Sequence, residues 1–319
     1  MPDNDHRTID VLMATYNGER YLKEQINSLL SQTCKDFVVS IRDDGSDDQT
    51  VNIVKEYEKY YPEKVRLIRD EGKHLGVCGN FRELLMSSRA PYVMLCDQDD
   101  VWLPEKIDLT LRKMIELENK HGKSAPLLVF TNLELVDDRL STIHKSFWDY
   151  QQLNPNNNTL NYLLLENIVT GCTTMMNDRL RDIAQNIDPG ARMHDWWIAL
   201  VASAFGFMDY IETPTVRYRQ HAKNVVGGKK FDILAVIKIL SNMNHSIVSI
   251  KNTIARKKIT VAAFYETYKD LPCKAGALNL AKAYSQLDKI SFPQRFLFLI
   301  KNKCFCAHPL RTLGYLFLH

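Results

Sequence analysis

Hydrophobic positions in the first 137 residues alternate between short continuous runs and stretches with helical spacing. Continuous apolar runs predict strands over residues 9–17, 37–41, 65–70, 92–96 and 126–137. Apolar residues three or four positions apart predict helices over residues 20–33, 47–61, 80–89 and 103–120. Strands that alternate with helices of this length predict an α/β domain, with a mainly parallel sheet and helices on both faces.

Polar side chains follow three of these strands. The clusters are Thr15-Tyr16-Asn17, the Asp-Asp-Gly-Ser segment 43–46 and the Asp-Gln-Asp-Asp segment 97–100. Ligands of such sheets bind at the carboxyl ends of the strands, so we expect the three clusters to converge on one edge.

Three carboxylates stand close together in the last cluster, at Asp97, Asp99 and Asp100. They repel one another unless a cation compensates, and Mg²⁺ or Mn²⁺ prefers carboxylate oxygens while leaving positions for phosphate oxygens. Two alternatives to a metal site stay open. In the first, Asp100 only caps the helix that begins near Leu103. In the second, Asp97 is the nucleophile of a haloacid dehalogenase-type phosphatase. The segment matches that DxDx[TV] motif, which usually follows the first strand of its domain, whereas this cluster follows the fourth.

The second half of the chain is less regular. Its patterns predict strands over residues 167–177 and 207–221, with an edge or bend at Pro214, and helices over residues 178–186 and 194–206. From residue 231 onward the chain is predicted to be helical, with basic and apolar residues interleaved.

Charge is distributed unevenly over the 319 residues, although the net charge is only +3. Residues 223–319 hold 16 Lys and Arg against four Asp and Glu, a net charge of +12, whereas the preceding residues carry −9. A basic region on an acidic body predicts that the basic region binds an anionic membrane surface through amphipathic helices. Nucleic acid is not predicted as a partner, because the rest of the chain is acidic. Seven cysteines without a CxxC pair fit a reduced compartment, so we expect a cytoplasmic protein at the inner face of the plasma membrane.

Five motifs occur in a fixed order over roughly residues 8–228: VLMATYNGERYLKEQINSLLSQT, IRDDGSDDQT, GVCGNFRELLMSSRAPYVMLCDQDDVW, HDWW and RQHAKNVVG. With this series the sequence resembles family 2 glycosyltransferases. It is most similar to bacterial members that transfer rhamnose or related sugars onto surface polysaccharides. The resemblance implies the GT-A fold, a Rossmann-like mixed sheet flanked by helices. It implies a catalytic domain over residues 1–228, followed by a basic, amphipathic helical region over residues 229–319.

The resemblance also implies an activity. It is the inverting, metal-dependent transfer of a sugar from a nucleotide-diphosphate donor, such as dTDP-rhamnose, to a saccharide or lipid-linked saccharide acceptor. Mg²⁺ or Mn²⁺ would act as the Lewis acid that neutralises the leaving diphosphate. A non-catalytic binder of sugar nucleotides is a further alternative.

Site residues follow from the same resemblance. Asp195 in the HDWW motif matches the catalytic base, and Asp97, Asp99 and His221 match the metal ligands. The residues implied in nucleotide-sugar binding are Thr15, Tyr16, Asn17, Glu19, Asp43, Asp44, Asp97, Gln98 and Arg219. Trp196 and Trp197 are predicted to contact the acceptor, unless one of them belongs to the core. The loop 71–81 departs from the family pattern at His74 and Gly79, so no contact is predicted from it.

Overall fold

The computed structural model describes residues 9–70, 73–221 and 243–318. Within these residues nine strands form a single sheet. They are β1 (Ile9–Thr15), β2 (Phe37–Asp43), β3 (Val65–Leu67), β4 (Tyr92–Cys96), β5 (Val101–Trp102), β6 (Leu127–Val136), β7 (Thr142–His144), β8 (Met175–Asn177) and β9 (Phe207–Arg219). The order across the sheet is β3-β2-β1-β4-β8-β6-β9-β5, and β7 pairs with β6 at the side.

Helices cover both faces of the sheet and form the C-terminal region. Those of the first 221 residues are α1 (Leu22–Leu30), α2 (Thr50–Tyr60), α3 (Gly76–Ser87), α4 (Lys106–His121), α5 (Phe147–Gln151), α6 (Leu160–Leu163), α7 (Asp178–Ala184) and α8 (His194–Phe205). The C-terminal helices are α9 (Met243–Tyr268), α10 (Ala277–Ser285), α11 (Phe292–Lys301) and α12 (Pro309–Leu318). The helical prediction for residues 231–242 lies outside the described residues. Among the described helices, none is both long and apolar enough to cross a bilayer.

The parallel half of the sheet brings the three polar clusters together. β1 pairs in parallel with β2 on one side and with β4 on the other. Thr15 is opposite Asp43, and Met13 is opposite Cys96, so all three strands end at the same edge. The predicted convergence is therefore confirmed.

The other half of the sheet is antiparallel in part, because β8 runs antiparallel to both β4 and β6. The predicted strand over residues 167–177 is wrong for most of its length, since within this range only β8 pairs in the sheet. Residues Gly171–Thr173 form a turn of 3₁₀ helix instead. The Thr173 hydroxyl donates to the Thr170 carbonyl at 2.6 Å, and the Thr174 hydroxyl donates to the Gly171 carbonyl at 2.8 Å. Local side-chain bonds of this kind compete with strand pairing.

Helix α4 begins three residues later than predicted. The Leu103 N–H donates to the Thr215 carbonyl at 2.9 Å, which continues the pairing of β5 with β9. The residues after the DQDD cluster therefore join the sheet before the helix starts at Lys106. Asp100 lies too far upstream to cap α4, and that interpretation is wrong.

Hydrophobic cores lie on both sides of the sheet, as the alternation of side chains along a strand requires. Val11 and Met13 of β1 pack with α1, α2 and α4, whereas Leu12 packs on the opposite side with α3 and α8. Ten of the twelve residues of α8 are buried, because the helix lies between the sheet and the C-terminal helices. The ring of Trp197 packs edge-on against Phe264 of α9 at 5.9 Å, so the C-terminal helices share the core of the sheet domain.

Candidate active site

A large cavity opens at the sheet edge where β1, β2 and β4 end. Its volume is about 1030 Å³, the upper end of the range for ligand sites. Its lining includes the loop after β1, the DQDD segment, the start of α3, the start of α8, and the helices α9 and α12. The cavity is therefore bounded by the sheet domain on one side and by the C-terminal helices on the other.

The loop after β1 is attached to the DQDD segment by one side chain. The Gln98 amide accepts from the Tyr16 N–H and donates to the Tyr16 carbonyl, both at 2.9 Å. A Cβ on Gly18 would lie 2.2 Å from Gln98 Oε1, so a glycine is needed beside this pair. Thr15, Tyr16, Asn17 and Gln98 all line the cavity, as predicted for a binding surface.

Three polar residues connect the loop after β1 to the loop after β2. Asn17, with φ 48°, accepts from the Asp47 N–H at 3.0 Å, and Glu19 accepts from the Gln49 N–H at 3.0 Å. The Asp43 carboxylate accepts from the Thr15 hydroxyl at 2.9 Å and from two backbone N–H groups of its own loop. Glu19 and Asp43 do not line the cavity, so their nucleotide contact stays a prediction while their loop contacts are observed.

Asp44 is buried in the wall of the cavity. Its two carboxylate oxygens accept from the backbone N–H groups of Leu75 at 2.8 Å and Gly76 at 2.9 Å, and Arg42 donates to it at 3.0 Å. The carboxylate thus connects the end of β2 to the start of α3.

His74 is a cavity residue that the sequence analysis missed. Its ring lies 4.8 Å from the ring of Tyr16, with 48° between the planes, and both side chains line the cavity. Two adjacent aromatic rings of this kind can stack on a nucleotide base. The sequence signals were the departure from the family pattern at His74 and its position just before α3.

The carboxylates after β4 meet the end of β9. Asp97, Asp99 and His221 line the cavity, and His221 Nε2 lies 2.8 Å from Asp99 Oδ2. Burial, and then the negative charges of Asp99 and Asp195, raise the pKa of Asp97 to about 7. The three residues that were predicted to bind a metal therefore line one cavity, and Asp99 and His221 are in direct contact.

The chemistry of these donors fits a hard divalent cation. One carboxylate oxygen of the buried Asp100 (Oδ2) has no hydrogen-bond partner among the described residues. Asp97, Asp100 and Cys172 offer ligand atoms within 4.8 Å of one another. Burial raises the pKa of the Cys172 thiol well above its ordinary value, so it stays protonated. Because Mg²⁺ and Mn²⁺ favour oxygen over sulfur, the predicted set Asp97, Asp99 and His221, with two carboxylates and no thiol, suits them better.

Arg219 bonds to the loop that carries Asp99 and Asp100 without lining the cavity itself. Its guanidinium is buried and donates to the backbone carbonyls of Asp99 at 2.9 Å and Asp138 at 2.7 Å, and it forms an ion pair with Glu24. Its backbone N–H donates to Asp100 at 3.1 Å. The side chain does not line the cavity, so the predicted contact of Arg219 with the donor is wrong in this structure. The guanidinium instead satisfies the Asp99 carbonyl of the loop that carries the carboxylates and the Asp138 carbonyl of the loop after β6.

Asp195 lies in the first turn of α8 and lines the cavity. Its carboxylate accepts from Asn167 Nδ2 at 3.2 Å and from the Gly171 N–H at 3.3 Å. Burial is the main cause that raises the pKa of Asp195 to about 6. A carboxylate with this pKa is mostly ionised at pH 7 and is basic enough to accept a proton.

His194, beside the predicted base, was also missed. It stacks on Phe81 with ring centroids 3.9 Å apart, and neither of its ring nitrogens has a partner among the described residues. A Cβ on Gly171 would lie 2.6 Å from its Nε2, so the glycine makes room for the imidazole. Burial lowers the pKa of His194 to about 3, which keeps the ring neutral. A neutral imidazole that lines the cavity can bond a sugar hydroxyl.

The two tryptophans after Asp195 have different surroundings, because successive residues of a helix point in directions about 100° apart. Trp196 lines the cavity, and its indole N–H donates to the Leu163 carbonyl at 2.7 Å. Trp197 is fully buried and donates to the Tyr268 hydroxyl at 3.1 Å. The predicted acceptor contact is therefore wrong for Trp197, which belongs to the core, and stays a prediction for Trp196.

Comparison with known proteins identifies the family. A family model described as glycosyl transferase family 2 matches residues 10–184, more than half of the chain. The chain belongs to glycosyltransferase family 2. It is 29% identical over 223 residues to the dTDP-rhamnosyl transferase RfbG of Shigella flexneri, which covers 67% of this chain and 73% of that protein. It is 26% identical over 223 residues to the uncharacterized glycosyltransferase MJ1057 of Methanocaldococcus jannaschii, at 67% and 71% coverage.

Solved structures of glycosyltransferases share the fold of this chain. The structure of S. aureus TarS residues 1–349 matches with a TM-score of 0.53 at 15% identity, over 96% of this chain and 82% of that one. The mannosyltransferase PcManGT from Pyrobaculum calidifontis, in complex with GDP-Man and Mn²⁺, matches with a TM-score of 0.51 at 14% identity. That alignment covers 92% of this chain and 73% of the other. At these identities the likeness shows the fold alone.

The comparisons confirm the GT-A fold with a helical C-terminal region, and they confirm that the family 2 chain is a transferase. They do not support the phosphatase alternative. The family model includes Asp97 in a glycosyltransferase domain, and the carboxylate cluster follows β4 of the sheet.

Replacing Arg219 tests the support that it gives to the carboxylate loop. We expect Arg219→Gln to lower the free energy of unfolding by about 2–4 kcal/mol, because two carbonyls lose a buried charged donor. Arg217→Gln is the matched control, since its half-exposed ion pair with Glu134 should contribute at most about 1 kcal/mol. Urea unfolding measures both variants, and equal losses would contradict the role assigned to Arg219.

Proposed function

We propose that this family 2 member is an inverting, metal-dependent glycosyltransferase that moves a sugar from a nucleotide diphosphate to a saccharide acceptor. One observation carries the proposal: Asp195 and the Asp99–His221 pair line the same cavity. The relative named as a dTDP-rhamnosyl transferase supports dTDP-rhamnose as the donor. Cell-surface polysaccharide synthesis is the process in which this reaction would serve.

The donor nucleotide would bind at the sheet edge. Tyr16 and His74 offer aromatic faces for the base, and Asp44 lies in the same part of the wall. The backbone of Tyr16 is held by Gln98, so this surface is preorganised before the donor arrives. Thr15 and Asn17 complete the wall beside the base.

Asp97, Asp99 and His221 would hold Mg²⁺ or Mn²⁺. When bound, the cation supplies positive charge that neutralises the leaving diphosphate. The protein contributes the loop that holds these residues: Arg219 satisfies the Asp99 carbonyl, and the Arg219 N–H donates to Asp100. The two carboxylates therefore stay at the cavity in spite of their mutual repulsion.

Asp195 would act as the general base. Its carboxylate takes the proton of the acceptor hydroxyl while that oxygen forms a bond to the anomeric carbon. The bond from this carbon to the diphosphate oxygen breaks, and its electron pair leaves with the nucleotide diphosphate. Attack opposite the leaving group inverts the anomeric centre. Asn167 and the Gly171 N–H orient the carboxylate for this step.

The C-terminal helices would bind an anionic membrane surface. On α11 the side chains of Phe292, Phe296 and Ile300 are exposed at a spacing of four residues, and Leu297 beside them is 63% exposed. Lys301 and Lys303 follow directly and are also exposed. An apolar face bordered by cations matches the boundary between acyl chains and anionic headgroups. A lipid-linked acceptor would be reached at this surface.

The domain division at residues 228 and 229 is part of the proposal. The C-terminal helices share a core with α8, so deletion of residues 229–319 would expose Trp197 and its neighbours. Point substitutions are therefore the suitable test of the C-terminal region.

Two carboxylate variants test the reaction. We expect Asp195→Asn to lower sugar transfer by about 10³-fold, because an amide cannot take the proton, while donor binding persists. We expect Asp99→Asn to lose the metal-dependent rise in melting temperature that the donor causes. Melting curves with dTDP-rhamnose, UDP-GlcNAc or GDP-mannose, each with Mn²⁺, Mg²⁺ or EDTA, identify the donor for the transfer assay. Asp270→Asn, an exposed carboxylate, is the control. Full transfer activity in both Asp195→Asn and Asp99→Asn would rule the mechanism out.

The pH profile tests the base separately. The base must be deprotonated, and its pKa is raised to about 6, so kcat should fall tenfold per pH unit below about 6 and stay level above it. The hydrogen bond from Asn167 lowers the pKa of Asp195, so Asn167→Ala should move the inflection to higher pH. The measurement uses saturating donor and metal. An inflection that Asn167→Ala leaves in place would assign the titration to another group.

Vesicle binding tests the membrane surface. We expect the double substitution Phe296→Ser and Leu297→Ser to weaken binding to phosphatidylglycerol vesicles at least tenfold, because each side chain contributes about 1.5 kcal/mol or more when buried. Ile115→Ser removes an exposed apolar residue of α4 and is the control. Sedimentation with vesicles measures all three proteins. Unchanged binding of the double variant would refute the proposed membrane contact.

A further inference from the structure

The wall of the cavity away from the sheet edge carries three cations and one carboxylate. Arg192, Lys257, Arg311 and Glu166 all line this wall. Glu166 forms an ion pair with Arg311. In the part of the chain that the structure describes, no carboxylate forms an ion pair with Arg192 or with Lys257. Among the described residues, this wall therefore carries more positive than negative charge.

Lys257 is the more unusual of the two cations, because its side chain is buried, with only 8% of the residue exposed. Its ammonium group donates to the Leu165 carbonyl and the Tyr315 hydroxyl, and both acceptors are neutral. Burial lowers the pKa of Lys257 to about 8, so the ammonium still carries its charge at pH 7. A buried charge whose described hydrogen-bond partners are all neutral is costly for the fold, which points to a ligand that supplies the opposite charge.

The same wall borders the catalytic base. The ammonium of Lys257 lies 5.9 Å from the ring centroid of Trp196, which follows Asp195 in α8. Arg192 precedes Asp195 by three residues, and its charge lowers the pKa of that carboxylate. The opposite end of the cavity carries Asp97 and Asp99. The cavity is therefore negative where a metal and a diphosphate donor would bind, and positive beyond the base.

We propose that Arg192 and Lys257 bind a phosphoryl group of the acceptor, so that the acceptor is a phosphorylated saccharide. The inference rests on the proposed function, because the position of Asp195 as base makes this wall the acceptor side. Two cations that form no ion pair within the described residues match the two negative charges of a phosphate monoester or a diphosphate better than the single charge of a carboxylate. The phosphoryl group belongs either to a lipid carrier or to the saccharide itself.

Helix α12 connects this subsite to the exposed surface of the C-terminal region. Arg311 and Tyr315 of this helix line the cavity, whereas Leu310 and Leu313 are exposed. An acceptor with an acyl chain would thus have an apolar surface next to its phosphoryl group.

Anion binding without metal tests the subsite. The full chain is titrated in EDTA with decyl phosphate, glucose 1-phosphate or glucuronate, and heat release measures Kd. Because EDTA removes divalent cations, the donor end of the cavity keeps its negative charge and repels phosphate. We expect a phosphate probe to bind, and Arg192→Gln and Lys257→Met each to raise its Kd at least tenfold. Arg256→Gln, an exposed cation of α9 that does not line the cavity, should stay within twofold of the wild type.

The probes distinguish the two sources of the phosphoryl group. Tighter binding of decyl phosphate indicates a lipid carrier, and tighter binding of glucose 1-phosphate indicates a phosphate on the saccharide; either result supports the subsite. Glucuronate that binds as tightly as the phosphates overturns it. So does a failure of both phosphates to bind, or a Kd that neither variant changes. Arg192 is exposed, so Arg192→Gln keeps the test valid if Lys257→Met folds poorly.

Donor binding, measured in the same preparation with Mn²⁺, separates this inference from the proposed function. Intact donor binding without a phosphate site overturns the acceptor inference alone. A phosphate site without any metal-dependent donor binding overturns the proposed function, and with it the assignment of that site to an acceptor.

Discussion

Mutual repulsion among Asp97, Asp99 and Asp100 is the constraint on which the rest of the site depends. The carboxylates lie at the end of a buried strand, where little water screens their charges. The protein holds them in place with the buried guanidinium and the backbone N–H of Arg219, at the end of β9. The same strand delivers His221 to Asp99. A single pairing, β9 against β5, therefore assembles the cluster from segments about 120 residues apart in the chain.

Packing around α8 positions Asp195 on the other side of the cavity. The helix presents Asp195 in its first turn, and it is clamped between the sheet and the C-terminal helices. Because those helices also supply Lys257 and Tyr315, they contribute both to the core and to the cavity wall. The part of the cavity beyond Asp195 exists only when they are packed against α8.

Hydrophobic patterning located most of the elements of the first half of the chain, because amphipathic helices and buried strands repeat at fixed local periods. It was less successful from residue 138 onward. Of the strand predicted over residues 167–177 only the last three residues pair in the sheet, and a 3₁₀ turn precedes them, since Thr173 and Thr174 bond to nearby carbonyls. In the first half, the start of α4 was placed too early, because Leu103 pairs with Thr215 of a distant strand.

The sequence by itself determined the α/β pattern, the convergence of polar loops at one sheet edge and the motif series typical of the family. These features depend on short-range periodicity and on the direction of parallel strands. Only the tertiary structure decided which polar residues face the cavity. Arg219 and Trp197 belong to the interior, whereas His74, His194 and Lys257 line the wall. The reason is physical: a side chain's exposure depends on what packs against it, and those contacts come from segments far away in the chain.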